Sequence, residues 1–281
     1  MITVAFDGLS VVGKSTVVKM TNYAAESSVI VKENIHDPYR ESTAAVNRLI
    51  KQGKPLRDIP QEVSRSHPMS SGLLNDAFAY CLGFYNDYRT QSQAFLAYMF
   101  VWGRRNVANY VESLLYLNQY DLLLLDRWQR TNWAYQSVTP HYQYQKIRNL
   151  NKRFRILLPD VQFILSCPAE EIPKRRAFRD KIGRGTAGQM SPGREQEILP
   201  VFQEIYSDEA AAGNRDIFWV ENSGEPSECI ELQIRQAIPT YKQVEAELRK
   251  RGIRFKGEFD DSFWLRPEVL DEIYKYQTNK G

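Results

Sequence analysis

Residues 2–16 read ITVAFDGLSVVGKST. Ile2–Phe6 is a short apolar run, the pattern of a buried parallel strand, and from Lys14 to about Ala25 the pattern becomes helical. Between them, Gly8-Leu9-Ser10-Val11-Val12-Gly13-Lys14-Ser15-Thr16 matches G-x-x-x-x-G-K-[ST], and a strand before it and a helix after it are the context that gives this motif its meaning. The glycines let the backbone curl so that successive N–H groups face a phosphate chain. The helix N-terminus adds partial positive charge. Lys14 is placed to reach the β- and γ-phosphates, and the Ser15 hydroxyl to ligate Mg²⁺. Gly8, Ser10, Val12, Gly13, Lys14, Ser15 and Thr16 are therefore the expected ATP-binding residues, and Asp7 is read as a cap on the loop without a catalytic role.

Outward from this loop, apolar runs alternate with helical patterns. Val29–Lys32 reads as a second strand, and Ser42–Lys51 as helical. Residues 51–90 are irregular in their first half and aromatic in their second, and Gln91 to about Leu117 is a long helix. Asp121–Asp126, Val161–Cys167 and Ile217–Val220 are three further strands. This alternation predicts an α/β fold: a three-layer α/β/α arrangement around a mainly parallel sheet of about five strands. The basic stretch PKRRAFRDKIGRGTAGQMSPGRE reads as a mobile loop because of its Gly, Ser and Pro content. The expected organisation is a P-loop domain over 1–239, with an insertion at 51–98, a lid at 174–194 and an appended extension at 240–281.

Composition removes several classes. Of 281 residues, 37 are Lys or Arg and 34 Asp or Glu, a net charge of +3, which disfavours a nucleic-acid binder of the strongly basic kind. Three separated cysteines and three scattered histidines suit neither a disulfide framework nor a zinc site. No long apolar run or signal-peptide pattern is present. The expectation is a cytoplasmic protein without a membrane partner.

The triphosphate motif does not name a reaction. A GTPase signature N-K-x-D fails at Asn151-Lys152-Arg153-Phe154, and where a motor ATPase places D-E after its apolar strand this chain has Asp126-Arg127. An arginine there suits gripping a second anionic substrate, with Asp126 orienting the metal shell. Asp126 through Gln136 (DRWQRTNWAYQ) resembles the D-R-Y-x-x-S-x-x-A-Y-Q stretch of the thymidylate kinase family, with Trp128 in place of Tyr and Thr131 in place of Ser. Three further stretches resemble that family in order. ENIHDPYRESTAAVNRLI is similar to its R-E-P-G-G-T segment and following helix, with Arg48 at the spacing of the phosphate-binding arginine. Phe100-Val-Trp-Gly-Arg104 is similar to F-x-x-x-R, and PDVQFILSCPAEEIPKRRAFR to the strand and lid helix, with Arg175 and Arg179 in the R-x-x-x-R places.

The resemblance implies transfer of a phosphoryl group from ATP, with Mg²⁺ held by Ser15 and Asp126, to dTMP or a close analogue. The acceptor would be bound by Glu33, Arg48, Phe100, Arg104, Arg127, Thr131, Asn132 and Tyr135. Lys14, Asp126, Arg175 and Arg179 would carry catalysis. Val11 and Val12 leave the P-loop without an arginine, so the transition-state cation is expected from the lid: Arg175 or Arg179, then Arg184. A homodimer is expected as well. The chain departs from the family at Ser10, where an acid is usual, and at Tyr39-Arg40, which replace the Gly-Gly after Pro38. Two alternatives therefore stand: a deoxynucleoside kinase with Glu33 as general base, and a noncatalytic P-loop protein.

Overall fold

The computed structural model describes residues 1–32, 37–137, 143–181 and 194–278. Five strands, β1 (Ile2–Gly8), β2 (Ser28–Lys32), β3 (Leu122–Asp126), β4 (Val161–Ser166) and β5 (Ile217–Glu221), form one sheet in the order β2-β3-β1-β4-β5. The β1–β3, β1–β4 and β4–β5 pairings are parallel. A strand covered on both faces has no use for alternating polar residues, and accordingly Val4, Ala5, Phe6 and Leu122 through Leu125 are wholly buried. Phe6, Phe163 and Phe218 stack across β1, β4 and β5 at 5.5 and 5.4 Å. Asp160, just before β4, fixes the β1–β4 register by accepting from the N–H and hydroxyl of Thr3, both at 2.7 Å.

The chain divides into two compact units. The first comprises Met1–Val31, Leu117–Arg127 and Pro159–Gly281. In it α1 (Lys14–Ala24) packs on β1 and β3. With it go α8 (Glu171–Lys181), α9 (Arg194–Ala211), which lies on β4 and β5, and α10 (Ile230–Lys250), which lies on β5 and α1. A last helix, α11 (Pro267–Thr278), also packs on α1. The second unit, Lys32–Tyr116 with Trp128–Leu158, is helical. It holds α2 (Arg40–Lys51), α3 (Ile59–Ser66), α4 (Ser71–Phe84), nearly all of α5 (Tyr88–Leu117), α6 (Gln129–Gln136) and α7 (Tyr144–Arg153).

Three expectations change. The first half of residues 51–90, expected to be irregular, is mostly helical: Pro60 and Pro68 stand in the first turns of α3 and of a short 3-10 turn, where the missing N–H costs nothing. They punctuate helices instead of preventing them. The segment read as a mobile loop begins inside helix α8, and the remainder of it before α9, with Arg184, lies outside the described residues. The extension expected to start at residue 240 is not appended. Position 240 falls inside α10, whose Thr240, Tyr241, Val244 and Leu248 are buried. Beyond it, Ala25 and Phe255 form an antiparallel bridge, the Lys256 N–H donates to the Ala24 carbonyl at 2.8 Å, and Trp264 is fully buried.

Candidate active site

In the first unit the loop between β1 and α1 has the curled form that the motif demands. Gly8 and Gly13 take φ of 134° and 74°, values an L side chain rarely adopts. Both are also crowded: a Cβ on Gly13 would lie 2.5 Å from Asn222 Nδ2. No side chain caps α1, an arrangement that suits an anion at its N-terminus.

Lys14 is buried, with Nζ donating to the Leu9 carbonyl at 3.3 Å. Burial, and then the nearby Arg127, bring its pKa down to about 7, against the opposing pull of Asp126 and Asp7; Arg179 adds to the lowering. An ammonium held in this way gains from a bound polyanion, whose charge offsets both desolvation and the neighbouring guanidiniums. Thr16 donates its N–H to the Gly13 carbonyl at 3.0 Å, closing the first turn.

The Ser15 hydroxyl faces solvent and donates to Asp126 Oδ2 at 3.4 Å, while Asp126 Oδ1 is buried without a hydrogen-bond partner. Among the described residues no group of three or more His, Cys, Asp or Glu could hold a metal. A hydroxyl beside one carboxylate with a spare oxygen fits instead a Mg²⁺ that keeps water and phosphate as its other ligands. Arg127, directly after Asp126, has φ of 71° and donates its N–H to the Phe6 carbonyl at 3.0 Å. A non-glycine residue in the left-handed region stores strain, and such outliers gather at functional sites.

The two lid arginines behave differently. Arg175 is buried and fully engaged: it donates to Glu171 at 2.8–3.0 Å, to the carbonyls of Asn222 and Gly224 at 2.8 Å, and to that of Val11 at 3.3 Å. Asn222 Nδ2 completes the grip by donating to the Val12 carbonyl at 2.7 Å. Arg175 thus holds the loop from behind, in contrast to the expectation that it closes over a γ-phosphate. Its neighbour one turn on, Arg179, is half-buried and donates to the Ser10 carbonyl. Arg175→Ala will leave Glu171 partly buried without its counter-charge, a loss of about 3–5 kcal/mol. A melting temperature within a degree of wild type would contradict this.

Ser10 differs from the acid expected of the family, yet its hydroxyl donates at 3.3 Å to Glu195, a buried carboxylate from α9 that is also paired with Arg176 at 2.7 Å. Asp7 is buried and accepts from Gln162. Sequence reasoning missed Asn222, Glu171 and Glu195. Only the Asn-x-Gly turn at 222–224, directly after the last strand, offered any signal.

In the second unit, Arg104 is buried with its guanidinium 5.9 Å from the centroid of the Trp128 ring. The indole N–H of Trp128 donates to the Leu157 carbonyl at 2.8 Å, and Gln129 donates to the same atom at 2.7 Å. This fixes the start of α6, which carries Thr131, Asn132 and Tyr135. Thr131 and Asn132 are buried, and neither amide atom of Asn132 has a hydrogen-bond partner. Such a group costs stability unless something arrives to satisfy it. Phe100 is half-buried one turn before Arg104, Arg48 is exposed in the last turn of α2, and Glu33 lies outside the described residues.

No family model matches the sequence, and no curated protein matches it either. Solved structures do. A thymidylate kinase from Ehrlichia chaffeensis is 13% identical, with 86% of this chain and 98% of that one covered and a TM-score of 0.48. A thymidylate kinase from Candida albicans is 16% identical, with 90% of this chain and 97% of that one covered and a TM-score of 0.51. The fold is that of a thymidylate kinase. At 16% identity the likeness to the Candida structure extends to architecture and stops there. Among the described residues no helix is long and apolar enough to cross a membrane.

Proposed function

We propose that the chain is an ATP-dependent kinase of the thymidylate kinase type, which phosphorylates a pyrimidine deoxynucleoside monophosphate, dTMP or a close analogue, to the diphosphate. The observation that carries this reading is the constellation of Lys14, Ser15 and Asp126 at the uncapped start of α1. It is supported by the unsatisfied amide of Asn132, which awaits a ligand with both a donor and an acceptor, as a pyrimidine edge provides.

In the reaction an oxygen of the acceptor phosphate attacks the γ-phosphorus of ATP in line. The bond from that phosphorus to the bridging oxygen breaks, and ADP leaves with the electron pair. The protein's task is charge neutralisation and positioning. Lys14 neutralises the β- and γ-phosphates. Ser15 and Asp126 would hold Mg²⁺, which supplies Lewis-acid stabilisation of the developing charge when bound. Arg179 is the lid cation for the transition state, Arg175 having been taken up in supporting the loop. Arg127 of the first unit and, separately, Arg48 of the second are the candidates for the acceptor phosphate; within the second unit Phe100 is the candidate for stacking on the base, and Arg104, Thr131, Asn132 and Tyr135 for framing base and sugar.

The test is ADP release with ATP and Mg²⁺ against dTMP, dUMP, a 5-substituted dUMP, dCMP, thymidine and deoxycytidine. Turnover confined to monophosphates supports the reading. Turnover on nucleosides alone replaces it with a nucleoside kinase, and silence on all acceptors refutes it. Asn132→Ala will raise the acceptor KM about tenfold or more, since one unsatisfied hydrogen bond in a buried site costs about 1–3 kcal/mol. An unchanged KM in this variant would remove Asn132 from the site.

A further inference from the structure

A loop that cradles an anion with its N–H groups turns its carbonyls away from that anion, and each carbonyl then needs a donor of its own. The phosphate loop meets this need residue by residue. Leu9 accepts from Lys14 Nζ at 3.3 Å, Ser10 from Arg179, Val11 from Arg175 at 3.3 Å, Val12 from Asn222 Nδ2 at 2.7 Å, and Gly13 from the Thr16 N–H at 3.0 Å. Of the side-chain donors, all but Asn222 are cations. Lys14 and Arg179 are the two assigned above to the phosphates, so an arriving triphosphate draws them off their carbonyls. Arg175 stays, tied by Glu171 and by the 222–224 turn. Asn222 is neutral, and a polyanion has no comparable pull on it.

Asn222 is also firmly placed. Its N–H donates to the Ser166 carbonyl at the end of β4 at 2.9 Å, and its own carbonyl accepts from Arg175 at 2.8 Å. In a trans peptide the C=O and N–H lie in one plane and point opposite ways. Holding the Val12 carbonyl against Asn222 therefore aims the Gly13 N–H away from it, to the other side of the loop. There that N–H meets no acceptor among the described residues. The arrangement is not free of cost, for Asn222 Oδ1 is buried without a hydrogen-bond partner. A residue kept only to fill space would need no amide there.

We propose that Asn222 is a positioning residue for the phosphoryl donor: it holds the Val12–Gly13 peptide so that the Gly13 N–H is already presented to the phosphate chain before nucleotide arrives. The proposal rests on the phosphate-loop part of the kinase reading above and not on its acceptor.

The test is calorimetric titration of ATP, inorganic tripolyphosphate and dTMP into the full chain and its N222D and N222A variants, with the Gly13 amide resonance followed by NMR. N222D is isosteric but sets an oxygen against the Val12 carbonyl, and N222A removes the donor outright. Both variants will bind ATP and tripolyphosphate about tenfold or more weakly than wild type, with dTMP affinity unchanged. In wild type, tripolyphosphate will move the Gly13 amide proton downfield, as a new hydrogen bond to a charged acceptor does. In both variants that shift will shrink at saturation. A merely structural role would lower the melting temperature and all three affinities alike while the saturated protein kept the wild-type Gly13 shift, and that result overturns the proposal. So do ATP affinities within about twofold of wild type. Wild type that binds ATP but not dTMP overturns the kinase reading's acceptor, while the Gly13 shift still decides this proposal. Wild type that binds neither ATP nor tripolyphosphate overturns both. If N222D does not fold, N222A decides.

Discussion

Removing residues 240–281 will abolish cooperative unfolding and nucleotide binding together. Tyr241, Val244 and Leu248 of α10 cover α1, and Trp264 packs on Tyr241 at 4.7 Å and on Tyr23 at 6.1 Å. Phe255, Val269 and Ile273 are buried as well. At about 1.5–3 kcal/mol per buried large side chain, these seven supply a gross burial term of roughly 10–20 kcal/mol, as large as the net roughly 5–15 kcal/mol by which a typical domain is stable. The loss also uncovers the helix whose N-terminus is the proposed phosphate site. Thermal melting and ATP titration of a 1–239 chain make the comparison. A cooperative melt within a few degrees of the full chain would show that the segment is dispensable.

Lys14→Met will lower kcat by on the order of 10²–10³ while leaving the fold intact. The ammonium is buried against burial's own cost and beside Arg127 and Arg179, so its removal relieves repulsion within the free protein. Methionine retains the apolar stem. The melting temperature of the variant will therefore equal or exceed that of wild type, although catalysis collapses. A variant that loses stability along with activity would mean that Lys14 is structural, and one that keeps its turnover would remove it from the reaction.

The sequence made some parts of this molecule plain and hid others, for physical reasons. β1, the phosphate loop and α1 were legible because each is defined locally: a run of apolar residues, two glycines in left-handed geometry, and a helix that starts at the second of them. β3 was legible because Leu122 through Leu125 can only be a strand buried on both faces. Arg175 was not. Its place in a basic run says nothing about whether its guanidinium meets a phosphate or a set of carbonyls, and the partners that decide it are Val11, Asn222 and Gly224, far away in the chain.

The region after residue 240 shows a different failure. TYKQVEAELRK is dense in charge, yet Tyr241, Val244 and Leu248 recur at spacings of three and four, which is the signal of a buried stripe. Charge on the other faces concealed it.

The cover that α10 and α11 place over α1 has a consequence for synthesis. α1 leaves the ribosome well ahead of α10, for Tyr241 emerges more than two hundred residues later. At about 5–20 residues per second this is a wait of roughly 10–40 s, during which the side of α1 that α10 and α11 cover has no permanent neighbour. Nucleotide arriving early finds a nascent chain without a finished site, and the apolar side of α1 is open to chaperones or to wrong partners for that whole interval. The order in which the chain is made thus delays the completion of the proposed site until α10 and α11 are in place.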